Sequence, residues 1–133
     1  MRTAVLLVAG SVLVGCGSSQ EQAVTNAARA FGEALVAGDA ARACTALAPG
    51  SVVELEQSAG QECARALPAQ DLVVPDRVGG VERYGRQARV TVRSSDGRTD
   101  TWFLSRFDGR WLVVAASCRP RPDLPYDCGI EGP

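Results

Sequence analysis

The stretch from Ala88 to Val114, ARVTVRSSDGRTDTWFLSRFDGRWLVV, decides the fold. Apolar and polar residues alternate along it, and Asp96-Gly97 and Asp108-Gly109 interrupt the alternation. Asp-Gly between alternating runs is a strong hairpin signal, because both residues tolerate positive φ. Three antiparallel strands are expected here. Gly85-Arg86, a weaker turn signal, adds a strand ahead of them, with Gly79-Gly80 read as a bulge or bend within it.

If each turn holds two residues, the register follows. Glu82 then stands opposite Arg89, and Arg93 opposite Asp100; two pairs of opposite charge favour that alignment. Both pairs share a face with Thr91, Trp102, Leu104, Arg106, Trp111 and Val113. The other face collects Val81, Ala88, Val90, Val92, Thr101, Phe103, Ser105, Phe107, Leu112, Val114 and Ala116, and is expected to be the core. Trp102, Trp111, Arg89, Arg93 and Arg106 then form an outward aromatic and basic surface, a candidate interface for a partner or for a homodimer. The alternative is that the tail from Arg119 to Pro133 folds back over the tryptophans. Pro122, Leu124, Pro125 and Tyr126 would aid it, and arginine would stack on indole.

Helix signals precede the strands. Ser18 with Glu21, or Ser19 with Gln22, fits a capping box. Val24, Ala27, Ala28, Phe31 and Leu35 recur at helical spacing as one apolar stripe. Gly38 ends that helix, and Asp39 caps a second that runs to the break at Pro49. Ser51 and Glu54 read as a further capping box, opening a helix that Gly60 interrupts, and a last turn holds Cys63, Ala66 and Leu67 before Pro68. The chain is expected to be α+β: N-terminal helices packed on a curved four-stranded antiparallel meander.

The N-terminus carries an address. Arg2 precedes an apolar run, Ala4 to Val14, too short to span a bilayer permanently and ending in small residues, as a secretory signal does. Leu13-Val14-Gly15-Cys16 resembles the bacterial lipobox. That resemblance implies cleavage before Cys16 and a diacylglyceryl group on its thiol, leaving the chain lipid-anchored on the extracytoplasmic side of the cell membrane. The expected organisation is a signal peptide over 1–15, a lipidated start and short tether over 16–20, an α+β domain over 21–118, and a Pro-rich tail over 119–133.

Composition is consistent with one small exported domain in 133 residues. The net charge is −1, and loss of Arg2 makes the remainder slightly more acidic, which argues against a nucleic-acid partner. Every basic residue is arginine; with abundant Ala, Gly and Val, this looks like the codon bias of a high-G+C genome. With Cys16 acylated, Cys44, Cys63, Cys118 and Cys128 remain, an even set that reads as two disulfides with three connectivities. Cys44–Cys63 and Cys118–Cys128 are favoured because each closes a short loop. With no histidine and no C-x-x-C pair, a metal site and a metal cofactor are not expected.

The order of elements is similar to the NTF2-like, cystatin-like fold. Phe31 and Leu35 ahead of Gly38-Asp39, and the hairpin Phe107-Asp108-Gly109-Arg110-Trp111-Leu112-Val113, carry the likeness. The layout also looks like that of small uncharacterised exported lipoproteins. Against that likeness, the Cys44–Cys63 region stands where many NTF2-like members carry an early hairpin. Enzymes of that superfamily place a carboxylate or histidine inside the cone. Here the expected inner face offers only Thr101 and Ser105, while Glu82 and Asp100 sit outside beside arginines. The expectation is therefore a non-enzymatic, lipid-anchored binding or accessory protein of the cell envelope. Its partners would be membrane lipid through Cys16 and an envelope protein or small apolar ligand. The alternatives are a small isomerase- or cyclase-type enzyme with a pocket between Phe31, Leu35, Val90 and Phe103, and a purely structural envelope lipoprotein.

Overall fold

The computed structural model describes residues 16–123 and 125–133. The signal-peptide reading of 1–15, and Leu124, lie outside the described residues. Among the described residues, helices α1 (Cys16–Val36), α2 (Ala40–Ala46), α3 (Pro49–Ala59) and α4 (Cys63–Ala66) are followed by a 3₁₀ turn (Leu67–Ala69) and a five-stranded antiparallel sheet. The strands are β1 (Arg77–Tyr84), β2 (Gln87–Arg93), β3 (Thr99–Phe107), β4 (Arg110–Cys118) and β5 (Ile130–Glu131), adjacent in that order. The class is α+β. The fifth strand corrects the expected four: the tail does not merely trail but returns to pair Ala116 with Ile130.

Helix boundaries follow local chemistry, with two corrections. Helix α1 already runs at Cys16, so the stretch 16–20, expected as a tether, is its first turn, and Ser18 and Ser19 stand inside the helix instead of capping it. Helix α3 starts at Pro49, whose missing N–H suits a first helical position. Ser51 therefore caps nothing; it is buried, and its hydroxyl donates to the Val114 carbonyl at 2.8 Å, tying α3 to β4. Elsewhere the expected signals act. Asp39 accepts from the Arg42 N–H at 3.0 Å, and Gly60 closes α3 in the left-handed conformation.

The faces of the sheet are set by one turn. Gly85-Arg86 and Asp108-Gly109 are two-residue turns, with Tyr84 opposite Gln87 and Phe107 opposite Arg110. The Asp96-Gly97 turn holds three residues. Ser94 donates to the Arg98 carbonyl at 3.0 Å, Gly97 returns to the Ser94 carbonyl at 3.0 Å, and Gly97 sits at φ 85. This is the three-residue loop in which a left-handed glycine follows a tight turn. The extra residue moves the pairing by one: Arg93 faces Thr99, Val92 faces Asp100, and Val90 faces Trp102. The expected Arg93–Asp100 pair is therefore absent, and every residue of β3 lies on the face opposite to that expected. The Glu82–Arg89 pair is present, as is a one-residue slip between Val78 and Val81 at the two glycines.

The core consequently contains the tryptophans. Val24, Ala28, Phe31 and Ala34 of α1 pack onto Ala88, Val90, Val92, Trp102, Leu104 and Val113. Trp102 is fully buried, with its ring edge-on to Phe31 at 5.0 Å. Gly32 makes room for this approach, since a Cβ there would lie 2.7 Å from Pro75 and 3.6 Å from Trp102. Disulfides Cys44–Cys63 and Cys118–Cys128 clip α2 to α4 and the tail to β4. Bridges over such loops stabilise by about 2–4 kcal/mol each. Because Trp102 and not Phe103 fills the core, Trp102→Ala should cost about 3–5 kcal/mol. Half-buried Phe103→Ala should cost only about 1–2 kcal/mol. Urea unfolding of the two variants measures this order, and a larger loss at Phe103 would contradict the register.

Candidate functional site

The one-residue shift redistributes every candidate residue. Trp102 and Trp111 offer no outer surface: both are buried beneath α1, and the Trp111 indole N–H donates to the Gln20 side-chain oxygen at 3.2 Å. Arg93 stands beside the β2–β3 turn and Arg106 beside the β3–β4 turn, at opposite ends of the sheet. The proposed interface of Trp102, Trp111, Arg89, Arg93 and Arg106 is thus not one surface. Nor do Phe31, Leu35, Val90 and Phe103 line one pocket. Phe31 and Val90 belong to the packed interior, Leu35 borders a shallow cleft with Leu67 and Val74, and Phe103 is on the other side of the sheet.

That other side carries a groove instead. Phe103, Ser105 and Phe107 of β3 with Val114 of β4 form its floor, and Pro125, Tyr126 and Cys128 of the tail form one wall. Gly50 and Ser51 of α3, with Pro133, close the far side around a volume of about 630 Å³. The tail is held there by backbone hydrogen bonds at Asp127, Gly129 and Gly132. Arg119 and Asp127 exchange backbone hydrogen bonds at 2.8 and 2.9 Å, Gly129 donates to the Ala116 carbonyl at 3.0 Å, and Gly132 to that of Val114 at 3.0 Å. Tyr126 packs edge-on to Phe103 at 4.9 Å, and its hydroxyl accepts from Arg89 at 3.4 Å. Arg89 also pairs with Glu82, and the hydrogen bonds it donates to Tyr126 and to Glu82 hold its guanidinium above its usual pKa. The tail does fold back, but over Phe103 and Arg89, not over tryptophan. Tyr126, expected to help the tail cover the tryptophans, covers Phe103 instead, because the register shift exchanges the two faces of β3.

One carboxylate is inside. Asp100, expected on the outer face beside Arg93, is 3% exposed on the helix-facing side. Arg119 reaches its Oδ1 at 3.8 Å and Asp71 at the same distance, while Asp100 Oδ2 has no hydrogen-bond partner. Burial pushes the Asp100 carboxyl above the ordinary value of 3.8, and the charges of Arg119 and then Arg98 partly offset it. Asp100 lies near the β2–β3 turn, whereas Gln87 and Ser105, at the other end of those strands, border the groove. By contrast, Asp96 in the turn accepts from the Ser94 hydroxyl and the Arg98 N–H, which keep its pKa below the usual value.

Among the described residues, no cluster of three or more His, Cys, Asp or Glu side chains is placed to hold a metal ion, and no helix is long and apolar enough to cross a membrane. The chain matches no known protein-family model, no curated protein and no solved structure.

A raised folded-state pKa means the native protein binds more protons than the unfolded chain above pH 3.8, so stability contributed by Asp100 falls as pH rises through that window. Asp100→Asn should remove this fall, giving a variant whose stability relative to the parent grows as pH rises from about 4 towards neutrality. Thermal melts across that range read the difference, and a pH-independent difference would contradict the burial argument.

Proposed function

We propose that this chain is an exported, non-catalytic binding or accessory protein of the cell envelope, lipid-anchored through Cys16 on the extracytoplasmic side, with an NTF2-like, cystatin-like domain. The observation that carries the binding role is the groove over Phe103, because the chain builds it from a purpose-held segment. A disulfide, a short strand and two backbone bridges fix the tail across an apolar sheet floor. The floor supplies aromatic and aliphatic area, while Ser105, Gln87 and Glu131 give a few polar points at its border. Binding sites for small apolar ligands combine those two features. Helix α1 laid across an antiparallel sheet supports the NTF2-like reading of the fold, and two disulfides support export.

A second reading, a small NTF2-like enzyme, has one observation in its favour: a carboxylate with raised pKa on the inner face, Asp100. Its carboxylate is engaged by Arg119 and stands away from the groove, so the binding role is preferred. The groove also favours ligand binding over a purely structural role.

Two outcomes test this. A fluorescent apolar probe such as a naphthalene sulfonate should bind the native protein. Phe103→Ser, which removes roughly 1–2 kcal/mol of apolar contact, should weaken binding about fivefold or more. Equal binding by the variant would remove the groove from the account. In cells, native protein should incorporate radiolabelled fatty acid, and Cys16→Ser should lose the label and stay uncut; labelling that persists would overturn the anchor.

A further inference from the structure

The strand turns and the start of α1 converge on one end of the molecule. Gln20 of α1 touches Trp111, the second residue after the Asp108-Gly109 turn, and Phe31 touches Trp102 further up the sheet. Helix α1 therefore runs from the β3–β4 turn towards the start of β1, where Gly32 meets Pro75. Cys16 lies one helical turn before Gln20, which places its backbone roughly 6 Å closer to that end. The Gly85-Arg86 turn is at the same end, because Gln87 pairs with Ser105.

This end is a basic and aromatic rim. Arg83, Arg86, Arg106 and Arg110 are all exposed there. Arg86 donates to the Arg106 carbonyl at 2.9 Å and so joins the two turns. Tyr84 and Phe107 are 66% and 38% exposed, the aromatic pair of the rim. Asp108 stands in the turn between Phe107 and Arg110, Glu33 shares a cleft with Arg110, Glu131 lines the groove with Phe107, and Glu82 is already paired with Arg89. Arginines with partly exposed aromatic rings suit an anionic bilayer surface: guanidinium binds phosphate, and rings settle at headgroup depth.

We infer that the rim formed by Arg83, Tyr84, Arg86, Arg106, Phe107 and Arg110 seats this domain on an anionic phospholipid surface, next to the point where Cys16 attaches. The proposal deepens the lipid-anchored reading and rests on it. Fifteen residues precede Cys16 and are expected to leave at cleavage, so the membrane meets the chain at the end where the rim stands. The groove then opens along the side of the sheet and meets the rim at Phe107.

The test uses protein purified from membranes and placed on two vesicle types: phosphatidylcholine alone, and equimolar phosphatidylcholine with phosphatidylglycerol. The acyl group should retain the protein on both. Hydrogen–deuterium exchange of segments 83–87 and 106–110 should slow only where phosphatidylglycerol is present, and the slowing should vanish in high salt. The pair Arg106→Glu with Arg110→Glu should abolish it, whereas Arg77→Glu with Arg93→Glu at the far end should not. Retention on both vesicles with exchange blind to phosphatidylglycerol would overturn the rim while leaving the anchor intact. Salt-sensitive retention on the phosphatidylglycerol vesicles alone would overturn the anchor and support the rim; release from both overturns both.

Discussion

Trp102, fully enclosed between the sheet and Phe31, is the contact on which the rest of this molecule depends. Its position is fixed by a turn of three residues. Asp96 holds that turn by accepting from the Ser94 hydroxyl and the Arg98 N–H, with its other oxygen 2.9 Å from Arg98 Nε. Side-chain period in a strand is two, so one additional residue sends a whole strand's apolar set to the other side. With Trp102 and Leu104 turned inward, α1 needs small residues where it crosses them. Ala28, Gly32 and Ala34 supply these.

The same parity leaves Phe103 and Phe107 on the outside, which creates the need that the tail meets. An antiparallel sheet with one solvated face is common, but this one alternates Thr101, Phe103, Ser105 and Phe107 on that face, a half-apolar surface. Cys118 ends β4, and its bond to Cys128 commits the chain to return across it. Ile130 then enters the core, and Tyr126 lies on Phe103. Coverage is partial, and the uncovered part is the groove. One structural demand, closing an apolar sheet face with a short segment, thus produces the site at which binding is proposed.

Much of the fold was legible. The stripe from Val24 to Phe31, the stops at Gly38 and Gly60, the two-residue turns at Gly85-Arg86 and Asp108-Gly109, and the pairing of neighbouring cysteines all have local causes. Asp-Gly after Ser-Ser was the point of failure, since a two-residue and a three-residue loop both place Gly at positive φ and differ only in parity. The opposite-charge test of register misled for the same reason. It found Arg93 facing Asp100, yet the cation nearest Asp100 is Arg119, 3.8 Å away at the end of the sheet and distant in sequence. The groove was illegible because its wall comes from the tail, whose Pro-rich segment bears no periodic signal and whose strand has two residues.

Charge and shape then divide the domain by direction: arginines and aromatic rings around the turns beside Cys16, an apolar groove on the sheet face, a buried carboxylate at the far end. All three follow from the pairing of β2 with β3. Backbone proton contacts across these strands, measured by nuclear Overhauser effects on isotope-labelled protein, report that pairing directly. Val90 opposite Trp102, with Thr91 opposite Thr101, is the expected result. Thr91 opposite Trp102 would return the tryptophan to the outer face and contradict the account.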